Sequence, residues 1–183
     1  MPASTLLRHH VVGPADAPPL FLGPSLGTSE EVWEPQSPAL TKRFRVLRFD
    51  LPGHGGSGTD LVHATEPGRT TVRDLSSLVL DLADHHGWSS FHYAGISLGG
   101  AIGAHLAVHH PERVASLALV CSSAHFGPAR PWREHASLVR REGTAANQSE
   151  PLVRHHGVRR HPHRPQAARQ PRRSRPGRLR GLL

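Results

Sequence analysis

Gly95-Ile96-Ser97-Leu98-Gly99 is a G-x-S-x-G sequence set between two contrasting runs. Phe91-His92-Tyr93-Ala94 leads in and is rich in β-formers; residues 100–109 lead out with apolar side chains at helical spacing. That context separates a strand–serine–helix elbow from a chance match. A strand turning directly into a helix forces the serine into a strained backbone, and Gly95 and Gly99 remove the Cβ atoms that would collide across so tight a turn. The hydroxyl of Ser97 then stands at the carboxyl edge of a sheet, at the head of a helix whose dipole favours developing negative charge. The bland alternative is a Gly/Ser-rich strand–helix loop, and the flanking patterns argue against it.

Outward from the elbow, residues 1–145 alternate strand and helix signals, the pattern of an α/β domain with a mainly parallel sheet flanked by helices. Residues 6–12 and 19–22 read as short strands split by a turn at Gly13-Pro14. Residues 43–49 read as a strand closed by Asp50-Leu51-Pro52-Gly53. The spacing of Val72, Leu75, Leu78, Val79 and Leu82 predicts a helix over 70–85, with Gly87 capping its end. An apolar run at 114–121 is of strand length, and 132–143 reads as a helix with acids and bases mixed on its surface.

The charge is unevenly placed. Residues 147–183 hold ten of the 22 Lys and Arg residues and one acid, Glu150, so the net charge of +8 belongs to this C-terminal stretch. It is Arg, His, Pro and Gln without periodicity, too poor in apolar surface to offset its ordering entropy, and disorder is expected there. The single cysteine, Cys121, excludes an intrachain disulfide and fits a reducing compartment. The N-terminus lacks a signal-peptide core, and no apolar stretch approaches the roughly 18 residues that span a bilayer. A cytoplasmic protein is expected.

An elbow serine is a poor nucleophile until a base takes its proton, and that base needs an orienting acid. The developing oxyanion needs donors. One is the backbone N–H of Leu98, next to the nucleophile; the second belongs to the loop after strand 19–22, Gly23-Pro24-Ser25-Leu26-Gly27-Thr28, where Leu26 is the expected donor.

Several of these stretches together resemble one group of α/β-hydrolases, the 3-oxoadipate enol-lactonases. They are the loop at 23–28 with Trp33-Glu34-Pro35-Gln36; Arg48-Phe49-Asp50-Leu51-Pro52-Gly53-His54-Gly55-Gly56-Ser57; the elbow with His92 and Gly100; Pro111-Glu112-Arg113-Val114 with Cys121-Ser122-Ser123-Ala124; and residues 132–143, similar to the opening of that family's helical cap. The similarity runs over about residues 5–145. It implies an α/β-hydrolase core at 1–128 and a helical cap opening at 129–146; the Arg/His/Pro-rich tail at 147–183 departs from the family. The similarity also implies Ser97 as nucleophile, Leu26 and Leu98 as oxyanion donors, a small ester or lactone as substrate, and hydrolysis of 3-oxoadipate enol-lactone in aromatic-compound breakdown, with no metal or organic cofactor. In the family's Gly-His-Gly loop the histidine is structural, which assigns His54 that role.

That family places its acid and base after the serine, in the order Asp then His. No aspartate follows Asp84 here. His155, His156, His161 and His163 follow the serine but lie in the basic tail, away from any positioning fold. His85, His86, His105, His109 and His110 read as solvent-facing helix positions or helix ends. The fold is therefore expected to be incomplete at its C-terminal end, with 114–121 left as an exposed sheet edge and the chain inactive for want of acid and base. An out-of-frame origin for the tail is expected from 21 arginines to one lysine, the signature of a GC-rich gene. A generic carboxylesterase or a relative of the cofactor-free haloperoxidases is the nearest rival. The rival of another class is a non-catalytic protein whose basic tail holds polyanions, without sequence-specific nucleic-acid or membrane recognition.

Overall fold

The computed structural model describes residues 6–62 and 68–143, so the expectations for the tail at 147–183 and its histidines lie outside the described residues. Among the described residues there are five strands: β1 (His9–Val12), β2 (Pro19–Gly23), β3 (Arg45–Phe49), β4 (Phe91–Ile96) and β5 (Val114–Val120). Four helices accompany them: α1 (Ser37–Leu40), α2 (Val72–His85), α3 (Leu98–His109) and α4 (Ala129–Glu142). The strands form one sheet in the order β1-β3-β2-β4-β5, with β1 antiparallel to β3 and every other pairing parallel. This is the mainly parallel, helix-flanked α/β sheet expected from the alternation.

The central strands bury both faces, which is why their sequences are nearly continuous apolar runs. With a period of two, Phe21, Leu47, Phe49, Phe91 and Tyr93 point to one face, where Val79, Leu82 and Ala83 of α2 and Ile102 and Leu106 of α3 cover them. Leu20, Leu22 and Val46 point to the other, beneath Trp33, Leu40 and Phe44. Phe21 sits at the centre of the first layer, with its ring 4.6 Å from Phe91 and 5.5 Å from Trp88.

Helix α2 is fixed at both ends by its own sequence. Thr71 and Asp74 form a capping box, the Thr71 amide donating to Asp74 Oδ2 at 2.7 Å and the Asp74 amide to Thr71 Oγ1 at 3.3 Å. At the other end Gly87 takes φ +68°, its amide donating to Asp84 O and the Trp88 amide to Ala83 O. That is a Schellman closure, and it needs the left-handed residue that glycine supplies.

Several boundaries differ from the sequence reading, each for a local reason. β3 starts at Arg45 because the amides of Arg43 and Phe44 are spent on Leu40 O at the end of α1. β5 stops at Val120 because Cys121 turns to φ +46°. α4 begins at Ala129, ahead of the stretch expected from residue 132. A 3-10 turn at Glu30–Trp33, α1 itself and a second 3-10 turn at Thr59–Leu61 were too short to leave a periodic signal.

Among the described residues β5 is an edge strand, and none of its seven residues is buried. Leu119 and Val120 are exposed at 50% and 39%. No helix of the described residues is long and apolar enough to cross a membrane. An apolar, uncharged edge is a template for pairing with other chains. Leu119→Lys should therefore reduce self-association in sedimentation or light scattering while shifting unfolding by no more than about 0.5 kcal/mol, the usual range for a surface change.

Candidate active site

The elbow is where the sequence placed it. β4 ends at Ile96, α3 begins at Leu98, and Ser97 between them has φ 51° and ψ −113°. For a residue with a side chain such a conformation costs on the order of 1–3 kcal/mol and persists only when its surroundings over-determine it. Here they do. The Ser97 amide donates to Val120 O at 3.0 Å, and the Ser97 carbonyl accepts from Ala101 N at 3.0 Å and from Ser122 Oγ at 2.8 Å.

Glycines make the approach possible. Gly23 and Gly95 lie opposite one another in the β2–β4 register, and the Gly99 amide donates to Pro24 O at 3.1 Å. A Cβ on Gly99 would stand 2.4 Å from Gly23 O, and one on Gly95 would stand 2.3 Å from Gly99 O. The head of α3 is thus pressed against the loop that leaves β2.

That loop is held from three sides. Thr28 N and Oγ1 both donate to Ser25 O, closing a turn. The Trp33 indole N–H, in the buried layer below, donates to Gly23 O at 3.1 Å. His54 Nε2 accepts the Gly27 amide at 3.0 Å while its Nδ1–H donates to Pro52 O at 3.0 Å. His54 is itself placed by Asp50, a buried carboxylate that accepts from Glu30 N at 2.7 Å and Gly56 N at 2.9 Å. With Gly27 committed, the amides of Leu26 and Leu98 are left without an acceptor among the described residues. The Ser97 hydroxyl likewise has no partner among them. Beneath the site, burial pushes the Tyr93 phenol far above its ordinary value, so it stays protonated.

A base is harder to find. Both ring nitrogens of His54 are engaged, in the tautomer that holds the loop rather than one that faces the serine. His125, in the segment after β5 and passed over in the sequence reading, accepts Gly127 N at its Nδ1, which leaves the ring proton on Nε2, a donor. His10 pairs with the buried carboxylate of Glu30. In register, however, His10 lies opposite Arg48, Arg48 opposite Leu22 and Leu22 opposite Ala94, three strand spacings or roughly 14 Å from β4.

The fold and the elbow agree with a wider comparison. Residues 18–141 match the model of the alpha/beta hydrolase fold family. The chain belongs to that family. It is 34% identical over 137 residues to 3-oxoadipate enol-lactonase 2 of Acinetobacter baylyi, covering 75% of this chain and 49% of that protein. It is 35% identical over 117 residues to the pimeloyl-[acyl-carrier protein] methyl ester esterase of Vibrio campbellii, covering 63% of this chain and 41% of that protein. Among solved structures, the enol-lactonase from Burkholderia xenovorans superposes with a TM-score of 0.71 at 36% identity, covering 77% of this chain and 53% of that one. The chain spans about half the length of the enol-lactonases it matches.

Two glycines of the site differ in what a methyl group would do to them. Gly99→Ala drives a Cβ into backbone carbonyls and should destabilise the fold by about 3 kcal/mol or more, the upper range for overpacking. Gly27→Ala meets no atom within 4 Å and suffers only its φ of +79°, about 1–2 kcal/mol. Denaturant unfolding of the two variants should return that order.

Proposed function

We propose that this chain carries the nucleophile half of an ester or lactone hydrolase, with residues 1–128 belonging to the core and 129–146 opening a cap. Ser97 is the nucleophile, and the amides of Leu26 and Leu98 receive the oxyanion. The observation that carries this reading is a serine at φ 51° with an unbonded hydroxyl, beside two amides that lack acceptors among the described residues. Strain of this kind persists only where the surroundings over-determine it, and it clusters at functional sites.

The reaction follows from those groups. Ser97 Oγ attacks the substrate carbonyl, and the carbonyl oxygen takes the negative charge between the Leu26 and Leu98 amides at the head of α3. Collapse breaks the ring C–O bond, leaving the acyl group on Ser97; the Ser97 proton passes through solvent to the former ring oxygen, and water then cleaves the acyl-serine, returning a proton to Ser97 Oγ and its OH to the acid. The similarity to enol-lactonases points to 3-oxoadipate enol-lactone. An enol leaves more readily than an alcohol, so a lactone of this kind relies less on a general acid. The similarity to a methyl ester esterase supports an acyclic ester as the second reading.

Proton transfer is the weak step. With no positioned base among the described residues, the serine attacks as a neutral alcohol, and base catalysis contributes roughly 10²–10⁴-fold. The oxyanion donors, worth ~10²–10³ each, remain. Reaction with a fluorophosphonate, followed by intact mass, should therefore give slow modification of one site, abolished by Ser97→Ala, at ~10²–10⁴ below the rate of a relative that carries a base. Modification complete within minutes would show that a base reaches Ser97 and overturn the slow attack, and a Ser97→Ala chain that still labels would refute the nucleophile.

A further inference from the structure

Away from the elbow, three imidazoles from two distant parts of the sequence meet at the edge of the sheet. His9 comes from β1, and His85 and His86 from the closing turn of α2. The His9 and His86 rings are 5.1 Å apart, with Nε2 of one 3.0 Å from Nε2 of the other. His85 stands 5.0 Å from the His86 ring and 6.3 Å from the His9 ring.

The hydrogen bonds fix which nitrogens carry lone pairs. His9 Nδ1–H donates to Leu7 O at 2.8 Å, so its Nε2 is bare and aimed at His86. A backbone carbonyl holding the far N–H is how proteins orient a histidine that ligates a metal. His86 is held from the other side by stacking on Trp88, centroids 4.8 Å apart at 25° between planes. Two nitrogens facing each other at 3.0 Å need something between them. A proton on His86 Nε2 serves when nothing else is present, and when it moves to Nδ1 both nitrogens carry lone pairs that a small turn of the rings brings onto one ion.

We propose that His9 and His86 form a surface clamp for a divalent transition-metal ion of the Cu²⁺ or Ni²⁺ type. A metal 2.0–2.1 Å from each nitrogen, with the nitrogens 3.0 Å apart, subtends an angle of about 95°. That angle suits adjacent positions of a square-planar or octahedral ion, and is tighter than tetrahedral zinc prefers. No set of three or more His, Cys, Asp or Glu among the described residues is disposed around one ion, so water fills the other positions. Arg45, whose guanidinium carbon lies 5.6 Å from the Trp88 ring centroid, adds positive charge nearby and makes the site weaker than an acidic one. Bound metal would staple the antiparallel β1 edge to the end of α2.

Trp88 is a built-in reporter, because a paramagnetic ion on His86 would quench the indole stacked against it. The full chain is titrated with Cu²⁺ near neutral pH while tryptophan emission is followed. Saturable partial quenching is expected in the wild type, and its loss in Trp88→Phe identifies the reporter. His9→Gln and His86→Gln change different elements, and each should raise the half-saturating Cu²⁺ at least ~10-fold, since even outer-shell losses weaken a site that much. His105→Gln, which alters the separate His105–His109 pair on α3, should quench as the wild type does. No quenching in the wild type, or an unchanged titration in His9→Gln or His86→Gln, overturns the proposal.

Discussion

Backbone touching backbone, between the end of β2 and the head of α3, is the constraint on which the site rests. The Gly99 amide reaches Pro24 O at 3.1 Å, and no side chain fits between Gly99 and Gly23. Once those segments meet, the chain between Gly95 and Gly99 has to reverse from strand to helix within a single residue. Ser97 absorbs that reversal at φ 51°. The strain is local, on the order of 1–3 kcal/mol. It is opposed by the buried layer around Phe21, Tyr93 and Ile102, where each fully buried large side chain contributes about 1.5–3 kcal/mol. The elbow is a consequence of packing on the faces of the sheet, delivered to its edge.

A second chain of dependence runs through polar groups. Asp50, buried at the end of β3, holds the amides of Glu30 and Gly56. The turn so fixed presents His54, and His54 takes the Gly27 amide. Gly27 is thereby withdrawn as a donor, while the neighbouring Leu26 amide has no acceptor among the described residues. The tautomer that performs this task keeps the His54 proton on Nδ1, against Pro52 O. One imidazole cannot hold the loop in this way and also accept a proton from the serine. That is a physical reason for its structural role, where the sequence alone offered only the resemblance of a Gly-His-Gly loop.

What was legible in the sequence had a period or a fixed local geometry. The 3.6-residue spacing of α2, the apolar runs of β2 to β5 and the glycine pair of the elbow each state their structure over a few residues. Short turns such as Glu30–Trp33 have no period to read, and their stability comes from partners far along the chain, as with the Glu30 amide on Asp50. The same holds for His86. As a position at the end of α2 it reads as solvent-facing, yet the sheet order brings His9 to it from 77 residues away. The exposed edge at β5 was legible for the opposite reason: an apolar strand announced itself, and nothing in the described residues covers it.

The elbow and its loop are preformed by this chain's own packing, with the Leu26 and Leu98 amides left without acceptors among the described residues. Native-state hydrogen exchange, resolved by residue, reads each of these amides at once. Gly99, bonded to Pro24 O, should be protected to the level of the core strands, and Gly27, bonded to His54, at an intermediate level. Leu26 and Leu98, without acceptors among the described residues, should exchange orders of magnitude faster than Gly99. A rapidly exchanging Gly99, or a Leu98 as protected as Gly99, would contradict the account.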